Sequence, residues 1–285
     1  MKKNVAIFLL ALPAFLVLLF FFVLPLGSVL IDPFLDKGEA FFKLWSDPLF
    51  LNGLRGSSLL ALTAGVLSVI VGVPVALRLS VMRESRRLLC MFCISLPLTF
   101  SGLIVAYGFI LCFGRAGFIT LILAEFGFSP ETIAGIVYSP VGLALAYCYY
   151  LIPRVVLLLL PALTNFDRSL LLAANSMGAS RLRAFFDILL PELMPTIGIS
   201  FCLVAAVAFG AYGTALALVG SQVNILPLLL YSSISDTGTN FEQAAAISLV
   251  LLCACSLIMG MAEIIAMRRE QYLRGANARK AVTAN

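Results

Sequence analysis

The 285-residue chain is 62% apolar and only 12% charged, carries a net charge of +5 and contains no histidine. A soluble domain has about 45–50% apolar and about 25% charged residues. This composition, with a mean hydropathy of +1.08, therefore excludes intrinsic disorder and a soluble core and places the chain in a membrane. The absence of histidine removes histidine metal sites, Ser-His-Asp triads and imidazole acid–base catalysis.

The first apolar block, Val5–Ile31, follows Lys2 and Lys3 and carries no charge. A secretory signal has an apolar centre of only about 7–15 residues. This block is longer and has no A-x-A-like cleavage site, so a retained membrane helix is expected, bent or ended at Pro13 and Pro25. Further blocks that reach the roughly 20 residues a span needs are Gly56–Leu77, Leu88–Phe113, Ile133–Pro161, Thr196–Gly220 and Ala244–Met267. Ala116–Ala124 and Ile225–Ile234 are too short and suit interfacial or re-entrant segments. The expected fold is an all-α membrane protein with six transmembrane helices in residues 1–267 and a basic tail in residues 268–285.

Seven cysteines, Cys90, Cys93, Cys112, Cys148, Cys202, Cys253 and Cys255, all lie in apolar stretches and read as small buried hydrophobes. Cys90 and Cys93 form a C-x-x-C, but inside a hydrophobic helix and without a second pair, which is a weak metal or redox signal. No catalytic residue and no metal site is expected.

Charge sets the orientation. With both termini on one side, that side holds 15 of the 19 basic residues, from Lys2 and Lys3 through Arg78–Arg87 and Arg154–Arg183 to Arg268–Lys280. The other side keeps Lys37, Lys43, Arg55 and Arg115. The positive-inside rule puts the fifteen, and both termini, in the cytoplasm. The net charge thus reports topology and not nucleic-acid binding; the Arg268–Lys280 stretch can also touch anionic lipid. The outer loops are acidic, with Asp32, Asp36, Glu39 and Asp47 in one and Asp236 and Glu242 in another. That suits a basic docking protein, and exclusion of cations from translocated loops explains it equally well.

The connection from about Ala162 to Met194 carries a pattern of its own. Asn165 or Asp167 can cap a helix over Arg168–Met177. Gly178 can end it in the left-handed conformation, and Ser180 can cap a second helix that Pro191 and Pro195 stop. Leu182, Phe185, Phe186 and Leu189 fall at i, i+3, i+4 and i+7, one apolar stripe. Such a face outside the bilayer either packs under the protein's own helices or docks into a groove of another protein.

Ala173-Ala174-x-x-x-Gly178-Ala179-Ser180, followed by Phe185, Pro191 and Pro195, resembles the EAA loop of bacterial ABC importer permeases. That family pattern runs E-A-A-x-x-x-G-A, then a hydrophobic stripe, then L-P-x-x-x-P. The helix count is also similar to that of the type I subunits for polyamines, ferric iron, sulfate and phosphonates. The resemblance implies a bacterial inner-membrane permease whose hairpin, between helices 4 and 5, is a coupling helix seated in a cytoplasmic ABC ATPase dimer. It also implies a second permease subunit, identical or related, and a periplasmic solute-binding protein. Leu172 stands where the pattern has glutamate, so the contact lacks its polar anchor. The chain has no G-x-x-x-x-G-K-[ST] phosphate loop; ATP and Mg are expected on the partner ATPase, and no cofactor on this chain.

Pathway candidates are few. Arg154, between Tyr149–Tyr150 and the Leu157–Leu160 run, lies about 10 Å from the expected helix end. It either lines the pathway and faces an anionic solute group or snorkels to the cytoplasmic interface. Tyr107, Tyr147, Tyr149, Tyr150, Phe209 and Tyr212 are further candidates; Phe209-Gly210-Ala211-Tyr212-Gly213 combines bend-permitting glycines with a tyrosine that can enter a cavity. In related permeases this helix and the following loop border the gate, which implies a gate role for Tyr212. A gradient-driven transporter or channel and a membrane enzyme are the competing classes. Against them stand the lack of mid-membrane carboxylate or histidine relays and of clustered acids.

Overall fold

Backbone groups that leave water must satisfy one another locally, and the helix is the local solution. The computed structural model describes residues 12–35, 39–235 and 241–283, which form helices joined by short turns with no strand among them. Lys2, Lys3, Asp36, Lys37 and Asp236 lie outside the described residues.

A helix from residue 12 passes through a π turn, Leu19–Val23, into α1 (Leu24–Leu35). There follow α2 (Glu39–Ser46), α3 (Pro48–Ser80), α4 (Glu84–Ser95), α5 (Gly102–Phe113), α6 (Phe118–Glu125), α7 (Pro130–Val137) and α8 (Pro140–Thr164). Next come α9 (Ser169–Ser176), α10 (Arg181–Ala184), a second π turn (Phe185–Leu189), α11 (Leu190–Phe209), α12 (Gly213–Leu218), α13 (Leu226–Ser235) and α14 (Phe241–Thr283).

Six helical segments are long and apolar enough to cross a membrane: Leu12–Ile31, Pro48–Ser80, Gly102–Glu125, Pro140–Thr164, Arg181–Phe209 and Phe241–Arg268. The number matches the sequence expectation, but several boundaries do not. The expected Leu88–Phe113 helix is broken: α4 ends in a 3-10 turn at Leu96–Thr99, Phe100 and Ser101 are extended, and α5 starts afresh. Pro97 supplies no N–H there, and Ser101 accepts the Ile104 N–H to restart the helix. The short Ala116–Ala124 run becomes α6 and belongs with α5 in one crossing. The fourth span starts at Pro140 and not Ile133, because Ser139 caps it through the amides of Val141 and Gly142. The fifth starts at Arg181 and ends at Phe209, so the expected Thr196–Gly220 helix stops early, at Gly210.

Two prolines expected to bend or stop helices lie in continuing ones. Each follows a π turn by the same step: Leu24 donates to the Leu19 carbonyl before Pro25, and Leu190 to the Phe185 carbonyl before Pro191. A proline ring clashes with the carbonyl four residues back; the wider turn moves that carbonyl aside, and the helix passes through. Pro195 lies within α11.

The core is centred on α8, whose span is 67% buried, and α3 and α11 pack against it. The first span packs on α14, and none of its residues from Leu12 to Ile31 is buried, which suits a helix facing lipid. The cysteines divide: Cys148 and Cys202 are buried, whereas Cys93, Cys112 and Cys253 are exposed, on an exterior that carries many large apolar side chains. The Gly220–Ile225 connection folds back against α3: Asn224 donates to the Leu49 carbonyl (2.9 Å) and Leu226 N–H to the Ser57 hydroxyl (2.9 Å).

Candidate functional site

The hairpin is built from local signals. The Asp167 carboxylate accepts the Ser169 amide (2.9 Å) and starts α9, whereas Asn165 closes α8. Gly178 takes φ +88° after α9, and the Ala179 amide folds back to the Ala174 carbonyl (3.0 Å). The Ser180 hydroxyl then accepts the Arg183 amide (3.3 Å) and starts α10. Arg168 ties the hairpin to the end of α3 through the Ser80 carbonyl (2.8 Å).

Of the expected contact residues, Leu172, Ala173, Gly178 and Ser180 are exposed, Ala179 is half-buried and Ala174 is buried beneath them. Leu172 is 67% exposed, Met177 83% and Leu182 73%, an apolar surface at the hairpin tip. The single stripe does not survive. The π turn shifts the register by one residue, so Leu189 turns inward, Phe185 is half-buried, and Leu182 and Phe186 stay outside. Pro191 sits just past the turn, where α11 begins.

The second site is a cavity of about 320 Å³ where the two broken helices meet α8. Pro97, Leu98, Phe100 and Gly102 form one wall, and Val207, Gly210, Ala211, Tyr212, Gly213 and Thr214 the other. Tyr150 and Arg154 of α8 close it. Arg154 lies ten residues, about 15 Å, before Thr164, farther from the helix end than the sequence suggested. Its guanidinium turns back along α8: Nη1 donates to the Tyr150 carbonyl (3.0 Å), and Cζ lies 5.4 Å from the centre of the Tyr150 ring. Tyr150 and Thr214 both line the cavity. Tyr212 lines the cavity and packs on Tyr231, with ring centres 5.3 Å apart.

The other tyrosines go elsewhere. Tyr147 is fully buried and donates its hydroxyl to the Ala211 carbonyl (2.8 Å), holding the chain at the α11 break. Tyr107 is exposed on α5 and does not line the cavity. Tyr149 faces a separate apolar groove of about 390 Å³ with Phe109 and Phe113. The break at Leu96–Ser101 and the part played by Thr214 escaped the sequence reading; the only local hint was S-L-P-L-T-F-S-G, a proline and capping serine inside an apolar run.

The family described as binding-protein-dependent transport system inner membrane component matches residues 66–271, which include the hairpin and the whole cavity. Sulfate permease 2, chloroplastic, of Chlamydomonas reinhardtii is 28% identical over 243 residues, 81% of this chain and 63% of that protein, so the chain spans less than two thirds of that relative. The spermidine/putrescine transport system permease protein PotB of Haemophilus influenzae is 28% identical over 248 residues, covering 83% of this chain and 86% of the relative. A chain from a bacterial alginate ABC transporter, solved in complex with an alginate pentasaccharide-bound periplasmic protein, superposes with a TM-score of 0.76. The superposition covers 94% of this chain and 96% of that one at 17% identity, a shared fold.

Proposed function

Because the chain belongs to the family of binding-protein-dependent transport system inner membrane components, we propose that it is the permease subunit of an ATP-driven ABC importer for a small solute. The relatives named above are a sulfate permease and a spermidine/putrescine permease. In this reading the hairpin over about 162–194 sits on a cytoplasmic ATPase dimer that holds ATP and Mg. A second permease subunit completes the pathway, and a periplasmic solute-binding protein delivers the cargo. In this reading both termini are cytoplasmic, which the distribution of Lys and Arg supports.

One observation carries the reading: the helical segment Arg181–Phe209 starts at the hairpin tip and ends at the cavity wall. Its 29 residues make a rod about 44 Å long. Closure of the ATPase dimer displaces the tip, the rod carries the displacement inward, and the break at Gly210–Tyr212 absorbs it by a change of backbone angles. The cavity wall then moves relative to Tyr150 and Arg154, which exchanges access between the two sides. With Leu172 in place of an acid, the tip's grip on the ATPase is apolar contact through Leu172, Met177 and Leu182.

The test uses the complete transporter purified through a tag on this chain. Met177→Glu places a charge on a side chain that touches little of its own protein, so folding and melting temperature stay unchanged. The ATPase chain should be lost from the preparation, together with ATP hydrolysis. Undiminished recovery of the ATPase with Met177→Glu and with Leu182→Glu would overturn the coupling role.

A further inference from the structure

A half-buried guanidinium part-way along a membrane-spanning helix is best held by a carboxylate partner or a full set of acceptors. Arg154 has neither. The Tyr150 carbonyl takes one of its five N–H groups, the Tyr150 ring covers part of it, and among the described residues no carboxylate pairs with it. It is not reaching for the near end of α8 either, because its head points back towards Tyr150 and so lies deeper than its own Cα. The 12 residues that line the cavity include no acid. Tyr150 and Thr214 add hydroxyls to the wall, and α5 begins there with the positive end of its dipole.

Resting on the reading of this cavity as the pathway, the geometry points to a solute that carries an oxyanion group (sulfate, phosphonate or carboxylate), which Arg154 grips as it passes. The remaining N–H groups of the guanidinium form a planar fork that matches two oxygens of such a group. A polyamine meets the opposite situation: a fixed positive charge, no carboxylate to replace its water, and a tyrosine face already covered by a cation. A single, half-satisfied arginine also suits a pathway better than a closed site, because a grip through one fork can be released. Tyr212, on the wall opposite α8, is then the residue placed to open or close access to it.

The test is protection of Arg154 from phenylglyoxal, an arginine-selective reagent, in the complete reconstituted transporter, read by mass spectrometry of the peptide that contains it. Arg154→Lys serves as the unlabelled control. Sodium sulfate is expected to slow labelling at least about fivefold relative to sodium chloride of equal ionic strength, and putrescine to leave the rate unchanged. Equal rates in sulfate and chloride, protection by putrescine, or failure of Arg154 to react at all would each overturn the anion assignment. Loss of the ATPase chain on Met177→Glu is read in parallel on that variant, purified in the same way. Failure of the anion assignment with that coupling intact is thereby distinguished from failure of the importer reading itself.

Discussion

Replacing Tyr147 by phenylalanine removes one oxygen from a fully buried ring and leaves its packing against Tyr150 in place. The lost bond is the 2.8 Å link to the Ala211 carbonyl, in the gap between α11 and α12. Leaving a buried acceptor unpaired costs about 1–3 kcal/mol, whereas hydrogen bonds between membrane helices average about 0.6 kcal/mol and reach about 1.7. Ala211 is only half-buried and faces the cavity, where its carbonyl can find water, so the smaller range governs. We expect about 1 kcal/mol, or about a fivefold rise in the population with the break released. Hydrogen exchange on the intact complex should show that rise at the amides of Ala211–Leu218, with α3 and α8 unchanged. Unaltered exchange at those amides would refute the clamp and, with it, the assignment of Tyr147 to holding the wall and not lining the path.

Two further substitutions probe the backbone. Gly178→Ala adds a Cβ that meets nothing within 4 Å, so its cost is that of the positive φ alone, about 1–2 kcal/mol for an L residue. Faster proteolysis of the hairpin is expected, partly relieved by Gly178→Asn; a hairpin as resistant as the native one would count against the left-handed turn. Gly56→Ala would drive a Cβ into the Asn224 carbonyl oxygen, a backbone atom that cannot swing aside. It should melt the purified protein at a lower temperature than Ser57→Ala, which removes the acceptor of the Leu226 amide and costs about 1–3 kcal/mol. The reverse order would show that the Gly220–Ile225 connection does not press on α3 as described.

Much of the molecule was legible in the chain itself. The number of spans follows from the length and apolarity of its blocks, because a bilayer core asks only those two things of a helix. The hairpin was equally readable: Asp167, Gly178 and Ser180 act on amides and dihedral angles within four residues of themselves, so their neighbours in sequence settle what they do. Prolines were not readable in that way. Pro33, Pro74, Pro153, Pro161 and Pro195 sit inside helices, Pro25 and Pro191 ride on π turns, and Pro97 lies in a break. Inside a membrane a proline ends a helix only where something else satisfies the freed backbone groups. The α11 break holds no proline, and the partner that takes up its freed carbonyl, Tyr147, is 64 residues from Ala211. Arg154 makes the same point: the sequence marked it as out of place and left open whether it reaches for the interface or the interior. Which one holds depends on two broken helices, far apart along the chain, folding together into a wall around it, and contacts of that range have no signature in local residue order.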